Sequence, residues 1–416
     1  MPAASAPMFA PWKRNLAVCV FGSFTTIVAM TLLIPFLPLY VHSLGVKSTA
    51  GVTWWSGVAF AATFLSAALV APLWGRLSDR YGRKLMLVRA SLGMAISMSL
   101  MGLATQVWQL VALRLLVGLM GGYASGSNIM VATQTPREKT GWALGILAAG
   151  TMAGNLAGPL LGGFLTPLIG IRMVFFMVGG LIFIAFLATA FLMQEDREAL
   201  AARRAQDNSK DNQGLCSIVV AHPALGAMLA TGCLLMLANM SIEPIITVYI
   251  SGLVHLGSVS NAAGIVMAAT ALGSIISAPW LGRLADRVGA WPVIIGCLGV
   301  ATCLLVPQAL VTAAWQLTLL RFLMGLALGG LLPAIASVIR QHVPASSAGT
   351  ALGFSVSAQY LGQVAGPLLG GYAGGHVGMR SVFIYTCVLL LAGMVLNLIA
   401  YRRSPHSPCD HAIGRE

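Results

Sequence analysis

The sequence predicts an all-α membrane protein with twelve transmembrane helices arranged as two parallel six-helix repeats. Three observations support this fold class: an apolar composition, twelve apolar runs of spanning length, and motifs that occur twice. Of the 416 residues, 58% are hydrophobic and only 8% are charged, whereas soluble domains carry about 25% charged residues. A chain this long with so little charge cannot cover a surface that faces water, so its main solvent is predicted to be lipid.

The apolar runs give the individual spans, because about 20 apolar residues cross the hydrocarbon core of a bilayer as a helix. The first run is long enough to span and follows Lys13 and Arg14, so it is predicted to be retained as the first helix and not cleaved as a signal peptide. The predicted helices lie near residues 15–40, 52–75, 85–105, 107–134, 141–166, 171–193, 222–251, 258–282, 291–311, 315–340, 348–374 and 379–401.

The longest polar stretch follows the sixth predicted helix and divides the chain. It predicts an N-terminal bundle over 1–193, a cytoplasmic linker over 194–221, a C-terminal bundle over 222–403 and a cytoplasmic tail over 404–416. An even number of helices puts both termini on one side. Of the 24 Lys and Arg, 19 fall on that side, 3 on the other and 2 within helices. The positive-inside rule therefore predicts cytoplasmic termini and explains the net charge of +13 without nucleic acid.

The two predicted halves repeat each other. APLWGRLSDRYG (71–82) returns as APWLGRLADRVG (278–289), RLLVGLMGG (114–122) as RFLMGLALGG (321–330), and GNLAGPLLGGF (154–164) as GQVAGPLLGGY (362–372). Parallel repeats of this kind are typical of secondary transporters, in which the substrate site lies between the halves near the middle of the membrane.

The segment between the second and third predicted helices carries a distinctive basic motif. Its residues are Gly75, Asp79, Arg80, Gly82 and Arg83, and its second copy keeps Gly282, Asp286, Arg287 and Gly289. This motif resembles the signature loop of the major facilitator superfamily, G-x-x-x-D-R-x-G-R-K. A tight basic turn that sets topology is one interpretation. The resemblance implies another, in which Asp79 pairs with a nearby arginine and latches the halves when the cytoplasmic side is closed.

The fifth predicted helix carries closely spaced glycines. Glycines four residues apart let a facing helix approach closely, and a proline within a helix favours a kink. Close packing is a sufficient explanation of this pattern. The pattern also resembles the motif of drug/proton antiporters, which implies a pivot that seals the cytoplasmic path. Its residues are Gly145, Gly154, Gly158, Pro159, Gly162 and Gly163.

Among the eleven acidic residues, Glu243 alone lies inside a predicted span, and its repeat position is Ile34. A carboxyl group in a low-dielectric medium favours its neutral form, which suits proton coupling. Two alternatives remain: a counter-ion for a cationic substrate, or a structural partner of Arg114 or Arg321. Arg114 itself either reaches the outer interface or takes part in proton transfer, because its R-x-x-x-G context resembles the helix-4 motif of the superfamily.

Residues 12–403 as a whole resemble a drug/proton antiporter of the major facilitator superfamily, of the MdtG multidrug exporter type. WKRNL, IPFLPLYV, WSGVAF and ATQTPREKTGWALG carry this resemblance. It implies a monomer in the bacterial inner membrane that exports small molecules, above all drugs, against inward proton flow. Two departures stand out: helix 1 has no acid, and relatives of this type have a small apolar residue where Glu243 stands. An exporter of an endogenous hydrophilic metabolite, such as a siderophore, is therefore the alternative.

Other functional classes find little support in the sequence. It lacks the G-x-x-x-x-G-K-[ST] loop of ATP-driven pumps, and no His/Ser/Asp set indicates an enzyme. The single cysteines predict no disulfide framework, metal site or cofactor, and the cluster of His406, Cys409 and His411 is interpreted as incidental. An importer, a facilitator and a non-transporting sensor stay as further alternatives. The residues predicted to line the substrate cavity are Tyr123, Asn128, Asn155, Asn239, Gln359 and Tyr360.

Overall fold

The computed structural model describes residues 11–194, 223–254, 259–343 and 348–403. Within these ranges the chain is helical almost throughout, and a short 3-10 turn at Arg137–Lys139 precedes α7. The α-helices are α1 (Pro11–Thr31), α2 (Leu37–Ser43), α3 (Thr49–Tyr81), α4 (Arg83–Met101), α5 (Val107–Met120), α6 (Tyr123–Gln134), α7 (Thr140–Ile169), α8 (Ile171–Leu192), α9 (Pro223–Ser251), α10 (Val259–Val288), α11 (Ala290–Leu310), α12 (Ala314–Leu328), α13 (Leu331–His342), α14 (Ala348–His376) and α15 (Met379–Arg403).

Eleven helices within the described ranges are long and apolar enough to cross a membrane, with α5 and α6 counted as one span and α12 and α13 as another. The predicted eleventh span corresponds to α14, which is 29 residues long but is not among those eleven. Its many glycines and its two glutamines lower the mean hydropathy. This helix packs between α9 and α3, so protein surrounds much of it and a lipid-facing composition is not required.

The helices form two halves that pack in the same way. In the first half, α1 to α8, helix α1 packs on α7, α3 on α5 and α4 on α8; in the second half, α9 to α15, helix α9 packs on α14, α10 on α12 and α11 on α15. The halves meet where α3 contacts α14 and where α7 contacts α10. We call the side on which α1 begins and α15 ends the terminal side, and the other the far side. The predicted linker after Gln194 and the predicted tail lie outside the described residues.

Three predicted spans are interrupted. The first breaks between Thr31 and Leu37, because Pro35 has no N–H to donate to the carbonyl group four residues earlier. The fourth and tenth break at paired glycines, Gly121–Gly122 and Gly329–Gly330. A single continuous helix over 15–40, 107–134 or 315–340 was therefore wrong in each case.

The signature motif is more helical than predicted. Helix α3 continues through it to Tyr81 and α4 begins at Arg83, so Gly82 alone connects the two helices. The φ angle of Gly82 is +100°, and that of its repeat counterpart Gly289 is +92°. Residues with a β-carbon rarely adopt such positive φ values, which explains why glycine occupies both connections.

Candidate functional site: a charged centre between two halves

The first seam between the halves joins α3 to α14 on the far side. Gly57 lies directly against Pro367: a β-carbon added at Gly57 would lie 3.0 Å from the carbonyl carbon of Pro367. A β-carbon added at Gly371 would lie 2.5 Å from the Thr53 carbonyl oxygen. Nearer the end of the helices, the rings of Trp54 and Tyr372 meet edge to face at 6.3 Å. The absence of side chains at these glycines lets the two backbones touch.

The second seam joins α7 to α10 and repeats the first. A β-carbon at Gly264 would lie 2.5 Å from the Pro159 carbonyl oxygen, and one at Gly163 would lie 2.7 Å from the Ser260 carbonyl oxygen. Gly264 is the repeat counterpart of Gly57, 207 residues later in the chain. The far side is therefore closed by two seams that follow the internal symmetry of the sequence.

The terminal side is open. Glycines near this end of the helices face empty space, since no atom lies within 4 Å of a β-carbon built on Gly75, Gly141, Gly145, Gly282, Gly349 or Gly353. A cleft between the halves thus opens towards the terminal side and ends at the far-side seams.

Glu243 lies at the closed end of this cleft. It sits on α9, eight residues before the helix ends at Ser251, which is about 12 Å at 1.5 Å per residue. One turn further on, the Thr247 hydroxyl donates across the halves to the carbonyl oxygens of Pro35 (3.1 Å) and Ile34 (3.4 Å). These carbonyl groups belong to the break between α1 and α2. Glu243 is partly buried and lies one helical turn nearer the open terminal side than Thr247.

Arg114 faces Glu243 from the other half. Its side chain is 1% exposed, its Nε donates to the Ala59 carbonyl oxygen at 3.3 Å, and its guanidinium carbon lies 5.1 Å from the centre of the Phe60 ring. Its Nη1 is buried without a hydrogen-bond partner. Arg114 interacts electrostatically with Glu243. The alternative in which Arg114 extends to the outer interface is wrong, because the guanidinium group is enclosed by α3 and α5.

Arg321 is the repeat counterpart of Arg114 and approaches Glu243 from its own half. It is 2% exposed, and its Nε and Nη2 are buried without a hydrogen-bond partner. It also interacts electrostatically with Glu243. The centre of the molecule therefore holds two buried guanidinium groups and one carboxyl group.

The symmetry of this charged centre is incomplete. The two arginines occupy equivalent positions, but the position equivalent to Glu243 is Ile34, which is 8% exposed and packs in the core of the first half. Ionised Glu243 can balance one guanidinium charge, so the three groups keep a net charge of +1. A cationic substrate placed beside Glu243 would be a third cation and would meet both arginines, which disfavours the alternative of a counter-ion for a cationic substrate.

The predicted cavity residues fall into three groups. Asn128 and Asn155 are exposed, and Asn239, Gln359 and Tyr360 are partly buried on α9 and α14. Tyr123 is 1% exposed, and its hydroxyl lies 2.7 Å from Thr189 Oγ1 inside the first half. Tyr123 thus packs within the bundle and does not line the cleft.

The two copies of the signature motif lie apart at the open terminal side. In the first, Arg83 Nη1 donates to the Ile129 carbonyl oxygen and to Thr133 Oγ1, both at 2.7 Å, and so ties α4 to α6. In the second, Asp286 and Arg287 are exposed. The side chain of Asp79 lies outside the described part of the structure, so its pairing stays a prediction.

The glycine motif of α7 serves two contacts. A β-carbon at Gly154 would lie 2.9 Å from the Phe24 carbonyl oxygen and one at Gly158 would lie 3.0 Å from that of Val28, so this face packs on α1. Gly162 also faces α1, whereas Gly163 and Pro159 contact α10 across the second seam. In this state the motif closes the far side, and a role in sealing the cytoplasmic path stays a prediction.

Sequence reasoning missed several residues of this arrangement. Gly57 and Gly264 could have been found, because both are glycines at the repeat shift of 207. Thr247 carried no signal, since its importance depends on carbonyl groups freed by a break in another helix. Among the described residues, no group of three or more His, Cys, Asp or Glu side chains could hold a metal ion. The cluster of His406, Cys409 and His411 lies outside the described residues.

Comparison with known proteins gives a consistent family. The model of the Major Facilitator Superfamily matches residues 19–306 and 228–411. The chain is 39% identical over 400 residues to the multidrug resistance protein MdtG of Proteus mirabilis strain HI4320, covering 94% of this chain and 96% of that protein. It is 40% identical over 412 residues to MdtG of Klebsiella pneumoniae strain 342, covering 97% of each.

Solved structures share the fold at low sequence identity. A bacterial homologue of the human lysosomal transporter Spinster, in an inward-facing and unoccupied conformation, matches with a TM-score of 0.76 and 15% identity over 97% of this chain and 100% of that one. The nucleoside transporter NupG matches with a TM-score of 0.74 and 13% identity, over 94% of this chain and 100% of that one.

Proposed function

The chain belongs to the Major Facilitator Superfamily, and we propose that it is a proton-coupled antiporter that exports small molecules from the cytoplasm by alternating access. The cleft between its halves is the substrate path, and Glu243 with Arg114 is the proton-coupling element. The observation that carries this proposal is the position of Glu243: partly buried, at the closed end of the cleft, within electrostatic reach of a buried arginine from each half.

The direction of opening follows from the charge distribution. Lys and Arg are concentrated in the terminal-side segments, and cytoplasmic loops carry such an excess. We therefore assign the terminal side to the cytoplasm of a bacterial inner membrane, with both termini cytoplasmic. In this orientation the molecule is open to the cytoplasm and ready to receive a substrate that will leave the cell.

Proton exchange at Glu243 gives the substrate a driving force. A proton that enters from the far side neutralises the carboxyl group, and its release into the open cleft restores the charge next to two arginines. Moving one charge across the membrane is worth about 2.3 kcal/mol per 100 mV. The electrostatic interaction between Glu243 and Arg114 acts across the two halves, so the charge of the carboxyl group and the relative position of the halves depend on each other.

The substrate class is proposed from the relatives. The P. mirabilis and K. pneumoniae proteins named above are multidrug resistance proteins, and a similarity of about 40% identity along nearly the whole chain favours drugs and other xenobiotics as substrates here.

The test is drug-induced proton flux in everted membrane vesicles with an acid interior. Compounds are added singly, and collapse of the pH gradient is followed for the wild type, Glu243→Gln and Glu138→Gln. Glu138 is an exposed acid on the 3-10 turn and serves as the matched control.

We expect at least one compound to collapse the gradient with the wild type and Glu138→Gln but not with Glu243→Gln, although the mutant still binds that compound. An equal response of all three proteins would show that proton coupling does not use Glu243. No response of the wild type to any compound, together with export of a compound at a rate independent of the gradient, would contradict proton antiport itself.

A further inference from the structure

Arg89 is a partly buried cation that the proposed coupling does not use. In the sequence it counts among the positive charges of the terminal side, but the structure places it inside α4, partly buried between three helices. Its guanidinium carbon lies 3.5 Å from the centre of the Trp74 ring of α3. A cation inside a membrane span costs several kcal/mol unless it finds partners, so its partners indicate what it does.

Those partners lie at the break between α5 and α6. Arg89 Nη1 donates to the Leu119 carbonyl oxygen at 3.2 Å and Nη2 donates to that of Gly121 at 3.0 Å. The Trp74 indole Nε1 donates to the same Leu119 oxygen at 2.8 Å. The last carbonyl groups of a helix have no partners within the helix, and the negative end of the helix dipole attracts a cation. Arg89 and Trp74 therefore stabilise the end of α5.

The backbone between the two helices is fully turned out of the helical conformation. Gly121 is extended, with φ of −60° and ψ of −175°, and Gly122 has φ of +105°. Without outside donors, the carbonyl groups of Leu119 and Gly121 would be satisfied by N–H groups four residues later, as in a continuous helix. The Arg89–Trp74 pair competes with that arrangement.

The second half supplies an internal control. Its equivalent glycines, Gly329 and Gly330, keep right-handed conformations with φ of −61° and −100°, so α12 and α13 meet at a mild bend. The positions equivalent to Trp74 and Arg89, at the same shift of 207, are Leu281 and Gly296. The break is complete where the pair is present and mild where the pair is absent.

The two parts of the broken helix share α4 as a neighbour but otherwise contact different helices. Helix α5 packs on α3 and α4, whereas α6 packs on α1, α4 and α7. Helix α6 borders the open end of the cleft, where Asn128 and Ile129 are exposed. Its C-terminal half, on the terminal side, is held by Arg83 of the signature motif through Ile129 and Thr133.

We propose that Arg89 and Trp74 form a clasp that keeps this span divided at Gly121–Gly122, so that α6 moves as a separate gate while α5 stays fixed to α3. This proposal builds on the alternating access proposed above, but it does not depend on protons or on drugs. A half that moves as one rigid body would keep α6 fixed relative to α8, whereas a hinged α6 would shift relative to α8 when the cleft closes.

The test measures the distance between spin labels at Ala132 of α6 and Leu192 of α8, both exposed and both in the first half. The labels are attached through genetically encoded keto side chains, which leaves the native cysteines in place. The distance is measured without substrate in two proteins: the labelled protein with no other change, and the labelled protein with Gly57→Leu. The leucine side chain would clash with α14 at the first seam and so disfavour the state with a closed far side. A second, cross-half pair at Ala132 and Gln341 verifies that the cleft has closed.

In the protein that keeps Arg89, we expect Gly57→Leu to change the Ala132–Leu192 distance. In the Arg89→Gln protein, we expect Gly57→Leu to cause no such change. We also expect the Ala132–Leu192 distance of Arg89→Gln without Gly57→Leu to differ from that of the wild type. Arg340→Gln removes an exposed charge from α13 and should behave like the wild type. These expectations hold even if export is not coupled to protons, because no gradient is applied.

An Ala132–Leu192 distance that stays constant while the cross-half distance changes would overturn the proposal, and so would wild-type distances in the Arg89→Gln protein. If Arg89→Gln does not fold, Arg89→Lys decides. Lysine keeps the charge but lacks the planar fork that bridges two carbonyl groups and stacks on an aromatic ring. It should therefore shift the starting distance, and an unchanged distance would contradict the clasp.

Discussion

At the scale of single residues, the central feature is an imbalance of charge. Two arginines at equivalent positions are nearly fully buried, and three of their nitrogens lack hydrogen-bond partners, while one carboxyl group serves both. Sequence reasoning identified Glu243 and Arg114, because charged residues inside apolar runs are costly and conspicuous. It could not establish that both arginines interact with Glu243, since this depends on how the two halves meet.

A double-mutant cycle tests the coupling of Glu243 to the two arginines. Loss of the carboxylate leaves two buried guanidinium groups without a compensating charge, which is destabilising, so Glu243→Gln should lower the unfolding temperature in detergent. Adding Arg321→Gln or Arg114→Gln should restore part of that loss, with a coupling energy within about 0.5–3 kcal/mol. Strict additivity in both cycles would contradict this electrostatic coupling.

At the scale of helices, the sequence predicts the spans well and their interruptions poorly. Apolar runs locate each helix, because backbone N–H and C=O groups in lipid must bond to each other and an α-helix is one of the few structures that allows this. Interruptions depend on whether the backbone carbonyl groups bond to N–H groups of their own helix or to donors from neighbouring segments. Pro35 breaks its span, yet Pro244 at the equivalent place lies within the continuous helix α9. The paired glycines of the fourth and tenth spans also differ, because only the fourth has an arginine and a tryptophan beside it.

The seams give a prediction at this scale. In Gly264→Ala the added β-carbon would lie 2.5 Å from the Pro159 carbonyl oxygen, and overpacking of this kind costs about 1–3 kcal/mol. Because each 1.4 kcal/mol is about a tenfold change in an equilibrium, the population with a closed far side should fall about tenfold. Labelling of a cysteine introduced at Ser260, on the far-side end of α10, should become faster.

Gly180→Ala is the control for this measurement, because no atom lies within 4 Å of a β-carbon at that position. It should leave labelling and transport unchanged. If Gly264→Ala labels no faster than Gly180→Ala, the close approach at the second seam does not hold the far side closed.

At the scale of the whole molecule, the internal repeat explains the architecture. The seams, the glycine connections at Gly82 and Gly289, and the two buried arginines all occur at shifts of about 207 residues. The sequence therefore predicts which surfaces are equivalent. It does not predict which side of the cleft is closed, because an alternating transporter needs both arrangements and the difference between them is a small free energy.

The two ends of the glycine motif should respond differently to substitution. A β-carbon at Gly158 would lie 3.0 Å from the Val28 carbonyl oxygen, whereas Gly145 faces open space. Gly158→Ala should therefore lower thermal stability, and Gly145→Leu should leave it unchanged. Closure of the terminal side during transport should nevertheless make Gly145→Leu slow export, as measured in vesicles. Full transport by Gly145→Leu would contradict closure of the cleft at this glycine.

The most direct test of coupling through Glu243 compares two modes of transport by the Glu243→Gln protein reconstituted in vesicles. One mode is exchange of labelled for unlabelled drug at equal concentrations without a pH gradient, and the other is accumulation of the drug driven by a pH gradient. We expect Glu243→Gln to retain exchange and to lose accumulation, because its halves still alternate but carry no proton. Accumulation at the wild-type level by Glu243→Gln would show that proton coupling does not run through this carboxyl group.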